Sequence, residues 1–194
     1  MKKVFSLLSL MLLLCVVSFA QDKVANAVSE ATSGIPSAKV KNLDGSTFDT
    51  GKLSNDGKPM VISFWATWCK PCIKELNAIQ EHYEQWQKET GVKLIAISVD
   101  DPRTVENVNP FVESMEWPYE VYTDENADFK RALNVINVPH TFLIDGNGKI
   151  VSQHTSYASG DEEHLFEEIK KLVAKSSSDD KKSSDDKKSS DDKK

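Results

Sequence analysis

Apolar residues along this chain fall into short blocks with two different periods, and the periods alternate. Met60-Val61-Ile62-Ser63-Phe64-Trp65 is a nearly unbroken apolar block of strand length, which predicts a strand covered on both faces. The segment after it carries Ile73, Leu76, Ile79, Tyr83 and Trp86 at spacings of three and four and stops at Gly91. That is the pattern of an amphipathic helix closed by a glycine. Val92–Val99 reads as a second central strand, and Asn109-Pro110 as an N-cap with proline in the first turn of a helix through Phe111, Val112 and Met115. A short strand is predicted over Pro118–Tyr122 and a short helix over Ala127–Leu133. Thr141–Ile144 and Ile150–Ser152 flank an Asp145-Gly146-Asn147-Gly148 turn and predict a hairpin. A last helix, capped near Ser159 or Asp161, places Leu165, Phe166, Ile169, Leu172 and Val173 on one face. Upstream, Ala38–Leu43 alternates, and Asp44-Gly45 turns it towards Thr47-Phe48. Strands alternating with helices predict an α/β fold, a mixed central sheet flanked by helices.

The two ends have other compositions. Met1-Lys2-Lys3 followed by the apolar run Val4–Phe19, with Ser18-Phe19-Ala20 supplying small residues, reads as a signal peptide cleaved before Gln21. The run falls short of the roughly 20 residues of a membrane span. Leu14-Cys15 lacks the small residue that should precede the cysteine of a lipoprotein acylation site. Residues 21–35 form a small, polar lead-in, and residues 36–174 a domain-sized block. The end of the chain repeats Ser177-Ser178-Asp179-Asp180-Lys181-Lys182 at Ser183–Lys188 and Ser189–Lys194. With no apolar residue in the repeat, a disordered tail over 175–194 is expected.

The whole chain holds 24 basic and 30 acidic residues. Setting aside Lys2, Lys3 and the tail from Lys175 (seven lysines, six aspartates) leaves 15 basic against 24 acidic. A domain so acidic argues against binding nucleic acid or an anionic membrane surface. No Asn-x-Ser/Thr acceptor occurs, and a short, lysine-led signal points to a bacterial periplasm. Removing the signal removes Cys15 and leaves two cysteines in a compartment where disulfides persist.

Those two are Cys69 and Cys72, in Trp68-Cys69-Lys70-Pro71-Cys72 directly after the first apolar strand. Two residues wound into a helix's first turn bring the sulfurs close enough for a small disulfide ring. The unpaired N–H groups and dipole of that helix end stabilise a thiolate on Cys69. Lys70 adds a cation beside it, and Pro71 suits the first turn because its missing N–H would have no partner there. A zinc site would need about four ligands, and one pair is present. Covalent haem attachment needs His after the second cysteine, where Ile73 stands. A stapling disulfide would close a longer loop. Redox chemistry is the reading that fits, with no metal and no organic cofactor, since the cysteines themselves carry the electrons.

Phe64-Trp65-Ala66-Thr67-Trp68-Cys69-Lys70-Pro71-Cys72 resembles the active-site segment of the thioredoxin superfamily, and most closely its exported TlpA/ResA-like thiol–disulfide oxidoreductases. Asp44-Gly45 with Phe48 is similar to the N-terminal hairpin of that branch, and residues 91–135 to its strand–helix insertion. Val138-Pro139-His140-Thr141-Phe142-Leu143-Ile144-Asp145 is similar to the segment bearing the superfamily's cis-proline. The resemblance implies a thioredoxin-like fold over residues 36–174, with Pro139 cis beside the cysteines and the Val138 backbone pairing with substrate. Ser63 stands where plain thioredoxins carry a buried acid. The branch's alternative acid, on the loop after the central strand, matches Asp101 or its neighbour Asp100 and is assigned proton handling. His140 replaces the usual Thr after the cis-proline and is a candidate for tuning the thiolate. Lys74 and Glu75 are read as a solvated face, and His82, His154 and His164 as surface residues. Trp65 is assigned to the core and Trp68 to a docking surface for protein substrates.

The expected activity is thiol–disulfide exchange, with Cys69 attacking and Cys72 resolving. Lys70-Pro71 is closer to the Gly-Pro of reducing relatives than to the dipeptides of strong oxidants. The resemblance therefore implies a reductant of protein disulfides, with apo-cytochrome c as one target and a membrane partner as electron donor. Two other classes stay open. A peroxiredoxin-like peroxide reductase would need Thr three residues before the cysteine, where Ala66 stands. A copper carrier would space its cysteines by three and add a His.

Overall fold

β3 (Met60–Trp65) is buried at every position, because it runs through the middle of the sheet with a layer of side chains on each face. The computed structural model describes residues 34–191, with side chains through residue 178. The expected signal at 1–20 and residues 21–33 of the lead-in lie outside the described residues. Among the described residues the strands β1 (Lys39–Asn42), β2 (Thr47–Asp49), β3, β4 (Lys93–Ser98), β5 (Glu120–Thr123), β6 (His140–Ile144) and β7 (Ile150–Thr155) form one mixed sheet. Its order is β2-β1-β5-β4-β3-β6-β7. β3 pairs parallel with β4 and antiparallel with β6, and the hairpin β1–β2 joins through an antiparallel contact with β5.

Helices α1 (Lys70–Thr90), α2 (Val108–Met115), α3 (Asp128–Ala132) and α4 (Asp161–Asp191) cover the two faces. The pleat sorts the core. Val61, Trp65, Leu94, Ala96 and Leu143 pack with Leu76, Ile79 and Trp86 of α1, Val108 and Val112 of α2, and Leu165 and Ile169 of α4. Ile62, Phe64, Ile95, Ile97 and Phe142 pack on the other side with Val40 and with Phe129 of α3. α1 is tied down at several points. Tyr119 donates its hydroxyl to the Leu76 carbonyl at 2.8 Å, and the Leu94 amide donates to the Tyr83 hydroxyl at 2.9 Å. Trp86 stacks on Phe166 of α4 with centroids 4.8 Å apart. Gly91 closes α1 at φ 68°, a left-handed conformation that favours glycine.

Two expectations need correction. Asn109-Pro110 does not cap its helix. A 3₁₀ turn at Val105–Asn107 runs straight into α2, so Val108 starts the helix and Asn109 and Pro110 fill its first turn. The backbone of residues 175–191, expected to be disordered, continues α4 to Asp191. Within and between successive copies of the repeat, lysines and aspartates fall three and four apart, the spacing of neighbours on a helix surface, which an argument from composition alone does not weigh. Among the described residues no helix is long and apolar enough to cross a membrane.

Candidate active site

The end of β3 and the start of α1 set the dithiol. Cys69 is the N-cap of α1, and its sulfur accepts the Cys72 amide at 3.3 Å. The two cysteines form a disulfide with Cα atoms 5.3 Å apart. Cys69 keeps 5% of its surface exposed and Cys72 none. Lys70 is exposed on the first turn, and Pro71 occupies a position there that needs no N–H. Trp68 is 62% exposed beside Cys69.

The β3–β6 register brings the second half of the site to the same place. Phe64 pairs with His140, so Val138-Pro139, just before β6, emerges at the sheet end where β3 hands over to the cysteine loop. The Val138–Pro139 peptide bond is cis. Ile136, two residues earlier, is 81% exposed and was not singled out in the sequence. It adds a second large apolar side chain on this rim.

The two candidate acids on the loop after β4 lie in different surroundings. Asp101 lies on the outer side of its loop, and its carboxylate accepts from Arg103 Nε at 3.0 Å. That bond holds its carboxyl below the usual carboxylate range, and no bond connects it to the cysteine loop. Its neighbour Asp100 is the buried one and bonds to Thr67. His140 is turned away as well. Successive β6 residues face opposite sides of the sheet, and His140 stacks on Phe142 at 4.4 Å, with Nε2 3.0 Å from Gln153 Oε1. Phe142 belongs to the core on the side away from α1. The His140 ring is therefore part of that layer rather than a neighbour of the thiolate.

Glu75, expected on a solvated face, is instead only 6% exposed. It sits one turn after Cys72 on the same inward stripe of α1 as Leu76 and Ile79. Thr141 donates its hydroxyl to Glu75 Oε1 at 2.8 Å, and Ser63 reaches Oε2 at 3.5 Å. Ser63 and Thr141 pair across β3–β6 and point at α1 together. Burial outweighs these two hydroxyls and pushes the Glu75 carboxyl up to about 7. Glu75 borders a surface cleft of about 370 Å³ that His154, Asp161 and Leu165 also line. The sequence held the signal for it. A stripe through Cys72, Leu76, Ile79 and Tyr83 includes position 75, and Ser63 leaves the strand without an acid.

A disulfide at a helix N-terminus, a cis-proline across the sheet end and a buried carboxyl one turn below define a thioredoxin-like dithiol protein. Comparison with known proteins then places it more closely. Residues 32–153 match the AhpC/TSA family. The chain is 32% identical over 138 residues to the thiol-disulfide oxidoreductase ResA of Bacillus thuringiensis, covering 71% of this chain and 76% of that protein. It is 28% identical over 155 residues to ResA of Halalkalibacterium halodurans, covering 80% and 81%. A thioredoxin-like protein from Porphyromonas gingivalis, solved in solution, shares 51% identity with a TM-score of 0.66, covering 72% of this chain and 92% of that one. The chain belongs to the AhpC/TSA family and, within it, to the ResA-like thiol–disulfide oxidoreductases.

Proposed function

We propose that this enzyme is an exported reductant that opens disulfides in partner proteins, with Cys69 attacking and Cys72 resolving. The asymmetry of the pair is the observation that carries this reading. Cys69 sits at the rim in the field of the helix end, while Cys72 is fully buried on the side of Glu75. In the reduced enzyme the Cys69 thiolate attacks one sulfur of a partner disulfide. A mixed disulfide forms and the partner's other sulfur leaves as a thiolate. Glu75, with its carboxyl pushed up to about 7, accepts the Cys72 proton near neutral pH. Cys72 then attacks Cys69 Sγ and expels the partner's second thiolate. Two electrons pass from the dithiol to the partner, and the Cys69–Cys72 disulfide remains.

Trp68, Val138 and Pro139 form the docking surface for an extended partner segment in this scheme, and Lys70 and Pro71 tune the helix end. No organic cofactor takes part. Returning the enzyme to its reduced form requires a membrane electron donor. The signal-like residues 1–20 support export to a bacterial periplasm, and the ResA likeness supports a place in cytochrome c maturation.

The test is Cys72→Ser in the full chain. Serine keeps the helix turn but cannot resolve the mixed disulfide, so partners accumulate as adducts through Cys69 that a thiol dissolves. Cytochrome c precursors among the adducts support the maturation role, and a scatter of unrelated exported proteins points to general disulfide reduction. A folded, exported variant that traps nothing would be evidence against exchange with proteins. A reduction potential at or above about −120 mV, the strongly oxidising end, would sink the reductant assignment.

A further inference from the structure

We propose that Asp100 is a positioning residue for the dithiol, acting through Thr67 to hold the loop that presents Cys69. Asp100 is completely buried and follows β4 by two residues. Its Oδ2 accepts the Thr67 amide at 2.8 Å, and its Oδ1 accepts the Thr67 hydroxyl at 2.6 Å. Ser98 donates its hydroxyl to Oδ2 at 2.8 Å and accepts the Asp100 amide at 3.1 Å, which fixes the carboxylate from behind. Both oxygens are thus in use, and the donors outside its own strand both come from Thr67.

Thr67 is the middle of the three residues that join the end of β3 to Cys69. On its N-terminal side the Val99 amide holds the Trp65 carbonyl at 2.8 Å, and across it the Cys69 amide reaches the Ala66 carbonyl at 3.0 Å. Trp68 points outward and supplies no core anchor. Ala66 and Cys69 are buried on either side, and the clamp at Thr67 fixes the backbone between them. The Cys72 amide points at Cys69 Sγ only while that loop is held, and a thiolate gains from the helix end only within its first turn. A loosened loop lets the reduced sulfur leave that field, so its thiolate is less favoured. A rigid supporting shell is what such a site needs.

The inference rests on Cys69 being the attacking sulfur, and the test keeps the two apart. Wild type, Thr67→Val, Thr67→Ser and Asp100→Ala are reduced and alkylated with iodoacetamide across pH. The labelled cysteine is identified, and reduction potentials are measured against glutathione buffers. Thr67→Val removes the hydroxyl leg at nearly constant volume and leaves Asp100 in place. It should raise the pH of half-maximal Cys69 labelling by half a unit or more. That means labelling about threefold slower on the acid limb and a more negative potential. Thr67→Ser keeps the hydroxyl and should restore the wild-type profile. Thr67→Val decides the question even where Asp100→Ala fails to fold. Thr67→Val with an unmoved profile and potential would overturn the proposal and leave Asp100 a cap that serves only stability. A folded Asp100→Ala whose labelling shifts to lower pH would also overturn it, because a direct charge effect on the thiolate has that sign. Wild-type labelling that favours Cys72 would overturn the assignment of the attacking sulfur itself.

Discussion

Glu75→Gln should make the protein more stable above neutral pH and change its stability little in acid. The native carboxyl titrates near 7, against 4.5 for an exposed glutamate. Below 4.5 both folded and unfolded states carry the proton, and burial costs no ionisation energy. Between 4.5 and about 7 the unfolded chain releases its proton and the native state does not, so stability falls as pH rises. Above about 7 both are ionised and the slope ends. Each unit of difference is worth about 1.4 kcal/mol, so the penalty built up across the window is about 3 kcal/mol. For a domain of this size that corresponds to about 6–12 °C in melting temperature. Glutamine retains an acceptor for Thr141 and does not titrate. Urea denaturation of the oxidised protein, in which the cysteines do not titrate, should be followed by circular dichroism from pH 4.5 to 8.5. The stability difference between Glu75→Gln and wild type should grow by about 3 kcal/mol over that range, with most of the change between pH 5 and 7. Parallel profiles would refute the claim that a buried carboxyl at this position changes protonation near neutrality.

Thr141→Val removes a hydrogen bond that holds the Glu75 carboxyl down, so the pH-dependent loss of stability should extend above pH 7. An unmoved midpoint would mean that Thr141 does not govern this group. His140→Ala should lose the stack on Phe142 and the Gln153 contact, lowering stability by about 1–3 kcal/mol. The pH profile of Cys69 alkylation should stay in place, and a shift in that profile would return His140 to the thiolate. Deleting residues 175–194 should leave melting temperature and disulfide reduction unchanged. The α4 residues packed in the core end at Leu172, and a drop of several degrees would show that the repeat packs.

The parts of the fold legible in the sequence were those whose pattern follows from burial. β3 is covered on both faces, so its block was apolar throughout, and its bounds match the observed Met60–Trp65. α1 packs one stripe against the sheet, and its glycine stop is where the left-handed cap falls. The dithiol was legible because C-x-x-C after a strand has few other uses. Less legible were side chains whose direction depends on phase. Asp100 and Asp101 are adjacent and chemically identical, yet one points in at Thr67 and the other out at Arg103. His140 follows the cis-proline in sequence, but the pleat of β6 sends its ring to the far face. Glu75 was assigned by its charge instead of its phase, although the stripe through Cys72 and Leu76 already included it.

Glu75 and Asp100 show how one site gives different work to two buried carboxyls. Asp100 receives an amide and two hydroxyls, all within 2.8 Å. Every one of these donors belongs to the β3–α1 loop or to β4, so the group is bound into the scaffold and serves as an anchor. Glu75 has one good donor, Thr141, and a long contact to Ser63 at 3.5 Å. Two hydroxyls cannot replace the hydration that an ionised carboxylate loses on burial, so desolvation dominates and the proton is held until near neutrality. A lysine or arginine in place of Thr141 would reverse that balance. The carboxyl would then stay ionised through the physiological range and be too weak a base for the proton transfer from Cys72 proposed above. Serine at position 63 belongs to the same logic. An acid there would face Glu75 across a few ångströms, and like charges would drive one of the pair to remain protonated. With Ser63 and Thr141 paired across β3 and β6, the sheet offers enough polarity to orient Glu75 and too little to fix its charge, which suits the proton transfer proposed for it.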